Sequence, residues 1–171
     1  MLLKLFPFAI LASTVLADGA AIIAAMYQIS NDTVELQNQV GGWDGDILGV
    51  LPIVGISTKL LSAIDSGTHT AQTSANLTLA EVLSIVGPTT SLVSGVQSAL
   101  STVTDAREKF AKLLLAPVIK IDLELEKTAT DRFSAAVVKK VPSAFQALAE
   151  SLTAPVDVAF GFAIGNYTGL L

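Results

Sequence analysis

The chain has 171 residues, a formal net charge of −5 at pH 7, 51% hydrophobic residues and no cysteine. Its acidic balance, without a basic stripe that carries interleaved aromatic residues, excludes nucleic acid as the expected partner. The absence of cysteine excludes a disulfide framework and a cysteine nucleophile, so packing alone must stabilise the fold. The surplus of apolar residues predicts a protein that binds apolar material.

Residues 1–17 have the features of a secretion signal. Lys4 precedes an apolar stretch over residues 5–16, and small residues at a V-x-A exit predict cleavage before Asp18. This stretch is too short for a transmembrane span. The remaining residues, 18–171, have the length of one domain, and the signal predicts that this domain is secreted.

Three N-x-S/T sequons begin at Asn31, Asn76 and Asn166. Each is a predicted glycosylation site of a secreted protein. Asn76 is the best candidate, because it lies in a turn-like stretch and an asparagine within a packed helix cannot carry a glycan.

Apolar residues recur at helical spacing along most of the chain. A first ladder from Ile22 to Val40 predicts a helix that ends at Gly41–Gly42. A second ladder follows Pro52 and ends before Asn76. Residues 78–81, Thr-Leu-Ala-Glu, form the S/T-x-x-E capping box that begins a third helix.

Two boundaries are predicted within the next segment. Gly87-Pro88 is expected to interrupt the third helix after about two turns, because proline removes a backbone donor. Beyond it, a stripe from Leu92 to Leu113 predicts one helix of about 40 Å, continuous through residues 102–105 and ending near Pro117.

Residues 118–126 alternate apolar and charged side chains, a period typical of a strand. We predict a helix here, since Ile121, Leu125 and Phe133 continue at helical spacing and Lys120 with Glu124 makes an i,i+4 pair.

The last helix is predicted to begin at Pro142 or Ser143 and to be kinked at Pro155. One side of it carries apolar residues at positions 145, 148, 152, 159 and 162. Short connections favour antiparallel neighbours, so the predicted fold is an all-α antiparallel bundle of five to six helical segments, some kinked at prolines.

Residues suited to catalysis are few. Asp65 and His69 lie one helical turn apart near Ser62 and Ser66, which resembles part of a catalytic set, but such a pair on an exposed helix is usually a surface contact. No nucleophile elbow or phosphate-binding glycine loop occurs. We therefore predict that the protein is not an enzyme and has no catalytic residue and no cofactor.

The turn after the first helix contains Asp44 and Asp46 beside Gly45. Two acidic residues without the later ligands of a calcium loop indicate helix capping, so no metal site is predicted. Trp43 is predicted to close one end of the bundle as part of the core.

The order of these features resembles the fungal hydrophobic surface-binding protein A family, which includes cell-wall galactomannoproteins. The resemblance extends over about residues 20 to 167. It rests on the first helix, the glycine-rich turn with Trp43 and Gly45, Leu60-Leu61-x-x-Ile64, the stretch Asn76 to Glu81, Lys109-Phe110, the leucine-rich segment from Leu113 and the ending Ala163-Ile164-x-x-Tyr167.

This resemblance implies a secreted helical protein, located outside the cell or in the cell wall, that encloses a fatty acid or adsorbs to hydrophobic surfaces. A core rich in Ala, Gly and Ser packs loosely unless something fills it, which also favours an acyl chain between the helices. The predicted ligand-binding residues come from the apolar stripes: Leu60, Ile64, Leu92, Val96, Phe110, Leu114, Phe133, Phe145, Leu148 and Phe160.

Two alternatives stay open at this point. The bundle can hold an acyl chain in a closed tunnel, or its helices can splay and lay their apolar faces on a droplet or polyester. A different class of function is a secreted helical inhibitor or adaptor that binds an extracellular hydrolase, although such inhibitors typically carry cysteine pairs.

Overall fold

The computed structural model describes residues 15–168. Most of the predicted signal peptide, residues 1–14, lies outside this range. The described part contains six helices and no strand, which confirms the all-α class and the helix predicted over residues 118–126. The helices are α1 (Val15–Gly42), α2 (Val50–Thr73), α3 (Leu79–Asp105), α4 (Arg107–Lys112), α5 (Ala116–Val138) and α6 (Ser143–Thr168).

The five long helices form a closed ring around one hydrophobic core. α1 packs against α2 and α3, α3 against α6, α6 against α5, and α5 against α2. Consecutive helices α1 and α2, like α5 and α6, are antiparallel, as their short connections predict. In the second pair, Lys127 contacts Asp157 and Ser134 contacts Thr153.

The other contacts in the ring join helices that are distant in sequence, and these helices run parallel. Across α2 and α5, Ser57 bonds to Asp122 and Asp65 pairs with Arg132. α1 and α3 are parallel in the same way, because Gly19 bonds to Glu81 and Gln37, further along α1, bonds to Ser98, further along α3. Connection length does not specify such contacts, so the sequence analysis did not predict them.

The predicted interruption of α3 at Pro88 is wrong. Proline removes the N–H that would bond to the carbonyl of Ser84, yet the helix continues to Asp105. Ile85 before the proline is buried, and Leu92 after it packs against the same core. Packing of both turns on one core holds the helix together across the lost hydrogen bond.

The prediction of one continuous helix that ends near Pro117 is also wrong, although residues 102–105 are helical as predicted. α3 ends at Asp105, and the short α4 follows after Ala106. At this break the buried Tyr167 hydroxyl donates to the Val103 carbonyl at 2.6 Å, so that carbonyl has a side-chain partner from α6. A contact of this kind cannot be seen in helical periodicity.

Trp43 closes one end of the ring, as predicted. It is 3% exposed, its ring centroid lies 4.5 Å from that of Phe110, and its Nε1 donates to the Asp46 carbonyl at 2.8 Å. The Asp46 carboxylate accepts the backbone N–H groups of Leu48 and Gly49, both at 2.9 Å. It therefore stabilises the turn before α2, whereas the N-cap of that helix is Gly49, which has no side-chain cap.

Candidate functional site

A cavity of about 140 Å³ lies inside the ring, and all five long helices contribute to its wall. At about 10 to 15 Å³ per water, this is room for roughly ten water molecules. Most of the wall is apolar, so the space is suited to hydrocarbon rather than to an ordered water network.

The cavity is elongated along the helix axes. Its wall includes α3 residues from Val82 to Val103 and α6 residues from Phe145 to Phe160. At 1.5 Å per residue these spans are about 30 Å and about 20 Å. One leaflet of a bilayer has a hydrocarbon thickness of about 15 Å, so the cavity is long enough for a long acyl chain.

The mouth of the cavity lies between the N-terminal halves of α3 and α6. Val86 on α3 and Phe145 and Leu148 on α6 line the cavity and are also exposed, by 37%, 36% and 58%. Side chains that both line a cavity and reach solvent mark its opening, so these three residues locate the mouth.

Acidic residues lie at the α5–α6 side of the wall. Asp131 and Asp157 line the cavity, and both carboxylates contact the Lys127 ammonium group. The neighbouring lysine lowers the pKa of Asp157, and the two carboxylates raise that of Lys127. Two acids with one base leave this edge net negative.

Eight of the ten predicted ligand-binding residues line this cavity, and two do not. Phe110 lines a smaller adjoining cavity and packs between Trp43 and Tyr167. Leu114 is 84% exposed at φ 60°, in the connection before α5. The prediction assumed that the helix continues beyond Lys112, where α4 ends. Leu114 therefore does not lie on a helical face that is directed to the core.

The inward faces of α5 and α6 differ from those predicted. Ile121 and Leu125 are exposed, because alternation puts apolar residues on both sides of α5. The cavity side of α5 instead carries Glu126, Thr130 and Phe133. On α6, Phe162 is 67% exposed and the inward stripe after Pro155 is Val156, Phe160, Ala163 and Tyr167.

Sequence reasoning also missed the contribution of α1, which lines the cavity with Met26, Ile29 and Leu36. The ladder that predicted this helix already contained the signal, since these three residues belong to its apolar stripe.

Glu126 is the buried acidic group of the cavity wall. It is 5% exposed, and its Oε1 accepts a hydrogen bond from the Ser57 hydroxyl at 3.2 Å. The Ser57 hydroxyl has a single proton, which it shares with Asp122 at the shorter distance of 2.7 Å, so its hydrogen bond to Glu126 is the weaker of the two. Burial, and then repulsion from Asp122, raises the pKa of Glu126 to about 8, so this side chain carries a proton at neutral pH.

Residues 19–139 match the family described as hydrophobic surface binding protein A. The chain belongs to this family. This match confirms the family resemblance that the sequence features indicated.

Cell wall mannoprotein 1 of Aspergillus fumigatus is 25% identical to this family member over 154 residues, which is 90% of this chain and 54% of the relative. That of Aspergillus flavus is 24% identical over 81% of this chain and 50% of the relative. The chain thus spans about half the length of the curated relatives it matches.

A solved structure of Afmp4p in complex with palmitic acid has a TM-score of 0.84 and 22% identity, and covers 88% of this chain and 99% of that one. Ligand binding domain 2 of the Penicillium marneffei MP1 protein, complexed with multiple arachidonic acids, has a TM-score of 0.81 and 19% identity. This match covers 88% of this chain and 96% of that one. These likenesses show that the family member has the fold of these domains.

The residues considered for catalysis lie on the outside of this bundle. Asp65 is exposed and pairs with Arg132 on α5 at 3.1 Å, and His69 is exposed. This is the surface position predicted for the pair. Among the residues that the structure describes, no group of three or more His, Asp or Glu side chains could hold a metal ion.

Three helices, α2, α3 and α6, are long and apolar enough to cross a membrane by length and composition. In the bundle each of them contributes side chains to the cavity wall, so their apolar length has a role within the fold.

The three sequons lie in different surroundings. Asn76 is exposed in the connection between α2 and α3, whereas Asn31 and Asn166 lie within α1 and α6. The amide of Asn166 donates to the Phe162 carbonyl at 2.8 Å. Glycosylation at each site stays a prediction.

Proposed function

We propose that the protein binds a long-chain fatty acid in the cavity between its helices and acts, without catalysis, outside the cell or in the cell wall. The observation that carries the proposal is the elongated apolar cavity enclosed by five helices. An empty cavity of about 140 Å³ would lower the stability by about 3 kcal/mol. Burying an acyl chain there contributes about 0.8 kcal/mol per methylene.

The relatives support the choice of ligand. Afmp4p was solved with palmitic acid and an MP1 domain with arachidonic acids, and both have the fold described above. The similarity of this chain to cell wall mannoprotein 1 of two Aspergillus species supports an extracellular location.

Cleavage before Asp18 belongs to this proposal. The Asp18 carboxylate accepts the Ala75 N–H at 3.2 Å and the Gly19 N–H donates to Glu81 at 3.1 Å, so a chain that begins at Asp18 keeps these contacts. Intact mass of the secreted protein tests the cleavage position.

The sharpest test of the cavity is the substitution Ala99→Phe. Ala99 is 5% exposed and lines the cavity, so the added ring would occupy the volume that an acyl chain needs. We expect palmitate binding, measured by equilibrium titration of delipidated protein, to weaken at least tenfold while far-UV dichroism stays unchanged. Ala147→Phe, at an exposed position of α6, is the matched control and should bind palmitate as the wild type does.

Two results would contradict the cavity proposal. A wild-type protein that shows no saturable binding of palmitate, and no co-purified lipid by native mass spectrometry, would exclude it. Destabilisation of Ala99→Phe by about 1 to 3 kcal/mol with unchanged palmitate binding would show that the added ring meets a packed core instead of the ligand's volume.

A second candidate function is adsorption to a hydrophobic surface, which a separate observation favours. Five exposed apolar side chains flank the outer side of the α2–α5 contact, and we call them the outer stripe: Leu51, Val54, Val118, Ile121 and Leu125. They are between 51% and 69% exposed. Because the helices run parallel, Leu51 lies level with Val118, and Val54 with Ile121. Exposed apolar side chains gathered on one side of a protein are typical of an interaction surface.

The double substitution Leu51→Ser with Ile121→Ser tests this second function. We expect depletion of the protein from solution by alkyl-coated beads to fall several-fold, while palmitate binding in the cavity stays unchanged. Val158→Ser with Phe162→Ser, at 74% and 67% exposed sites on α6, removes a comparable apolar area elsewhere and serves as the control. Equal depletion of all three proteins would exclude the outer stripe as the adsorbing face.

A further inference from the structure

Glu126 presents an unpaired oxygen to open space within the core. The residue is 5% exposed and lines both the main cavity and the smaller one beside it. Its Oε1 accepts the Ser57 hydroxyl, and its Oε2 has no hydrogen-bond partner in the described part of the chain. Every fully buried side-chain oxygen and nitrogen of that part has a partner, so Oε2 must reach the space of a cavity.

The helices around Glu126 supply no cation to pair with it. α2 contributes the Ser57 hydroxyl, and α1 and α3 contribute Leu36 and Val103 to the shared wall of the smaller cavity. On its own helix Asp122 is the nearby charged group, and it disfavours ionisation of Glu126. A carboxyl group in such surroundings holds its proton and can donate an O–H hydrogen bond.

The basic residues nearest to this region are already paired. Lys59 of α2 is held by Asp32 and Glu35 of α1, both within 2.9 Å. On α5, Lys127 is held between Asp131 and Asp157, which come from α5 and α6. The net negative edge formed by Asp131 and Asp157 repels an anion. The protonated carboxyl group inside the cavity is a better partner for a ligand carboxylate.

We propose that Glu126, with Ser57 behind it, binds the carboxyl group of the acyl ligand, so that the hydrocarbon chain extends from there toward the mouth of the cavity. This rests on the proposed function. The two carboxyl groups share one proton: Glu126 donates its O–H and the ligand carboxylate accepts it. Thr130, one turn further along α5, lines the same cavity and supplies a second hydroxyl donor.

The dimensions of the cavity agree with this orientation of the ligand. Val103 shares the wall of the smaller cavity with Glu126, and Val86 lies at the mouth. These two positions on α3 are 17 residues apart in the chain. This separation is about 25 Å along the helix, enough for an extended long acyl chain with its methyl end at the mouth.

Titration of delipidated protein with dodecanoate between pH 6 and pH 10 tests this assignment. Dodecanoate is an anion throughout this range, so its affinity should be constant up to about pH 8 and then fall about tenfold per pH unit as Glu126 loses its proton. Glu126→Gln keeps a donor without a titrating group, and its affinity should change less than twofold over the range. Glu124→Gln, which removes an exposed carboxyl group of the same helix, should leave the wild-type dependence of dodecanoate affinity on pH unchanged.

Methyl dodecanoate makes the test independent of any variant that fails to fold. The ester has no charge to repel ionised Glu126, so its affinity for the wild type should fall less than threefold from pH 6 to pH 10. Dodecanoate binding that is equally constant with pH would overturn the assignment of Glu126 and leave the proposed function intact. Failure of both ligands to bind at any pH would instead overturn the proposed function.

Discussion

At the scale of single residues, two buried glutamates show how the surroundings of a carboxyl group set its pKa. Glu81 and Glu126 are both almost inaccessible, yet their pKa values shift in opposite directions. Three hydrogen bonds from Thr78 and Gly19 stabilise the charge of Glu81 and lower its pKa. Glu126 has one weak donor and a like-charged neighbour, so its pKa rises to about 8.

The raised pKa of Glu126 predicts how stability depends on pH. The folded protein holds a proton up to about pH 8, whereas the unfolded chain releases it near the ordinary value of 4.5. The free energy of unfolding should therefore fall as pH rises from about 4.5 to about 8, by at most about 1.4 kcal/mol per unit. Asp122, whose pKa burial also raises, acts in the same direction.

Urea unfolding of the ligand-free protein at pH 5 and pH 8 measures this dependence. Glu126→Gln should lose most of it and should exceed the wild type in stability at pH 8, where the wild type begins to bury a charge. An identical difference between the two pH values in wild type and variant would show that Glu126 does not titrate in this window.

The sequence predicted apolar residues of the cavity better than polar ones. Leu60, Ile64 and Leu92 could be placed because a stripe at helical spacing marks the side of a helix that turns to the core. Glu126 could not, since a glutamate within an alternating segment is normally exposed. Its burial depends on the parallel contact of α5 with α2, which brings Ser57 beside it.

At the scale of helices, the start of α3 shows how one side chain joins two elements. Glu81 accepts the Thr78 N–H at 2.8 Å in the capping box, and it also accepts the Gly19 N–H of α1 at 3.1 Å. A Cβ atom at Gly19 would lie 2.8 Å from the Glu81 side chain, so glycine permits this approach. The capping box was predictable from four residues, whereas the bond to α1 was not.

Glu81→Ala removes this junction. We expect a loss of about 2 kcal/mol in the free energy of unfolding near pH 7, because the cap and the bond to α1 disappear together. Urea unfolding measures it. Glu150→Ala, at an exposed position in the middle of α6, should change stability by less than about 0.5 kcal/mol. A loss from Glu81→Ala no larger than that of the control would contradict the role of this junction.

At the scale of the whole molecule, ring closure and the cavity have the same origin. Five helices meet around one axis, and the inward residues of α3 are mostly Val, Ala and Thr, which do not fill the centre. Periodicity could predict the number of helices and the apolar sides of α1, α2 and α3, but not the inward sides of α5 and α6. The order of the ring, and hence the size of the space within it, depends on contacts between helices far apart in sequence.

A cavity of this kind predicts that stability depends on the ligand. A ligand that binds only the folded protein adds about 2.7 kcal/mol when its free concentration is 100 times its dissociation constant. For a domain of this size the melting temperature should rise by about 5 to 10 °C. Thermal unfolding of delipidated protein, with and without palmitate, measures the rise.

The rise in melting temperature should be small in Ala99→Phe, because the added ring fills the space that the acyl chain would occupy, and it should be complete in Ala147→Phe. A melting temperature that palmitate leaves unchanged in the wild type would mean that the acyl chain does not enter the folded bundle, and adsorption through the outer stripe would then be the better account of how the protein meets hydrocarbon.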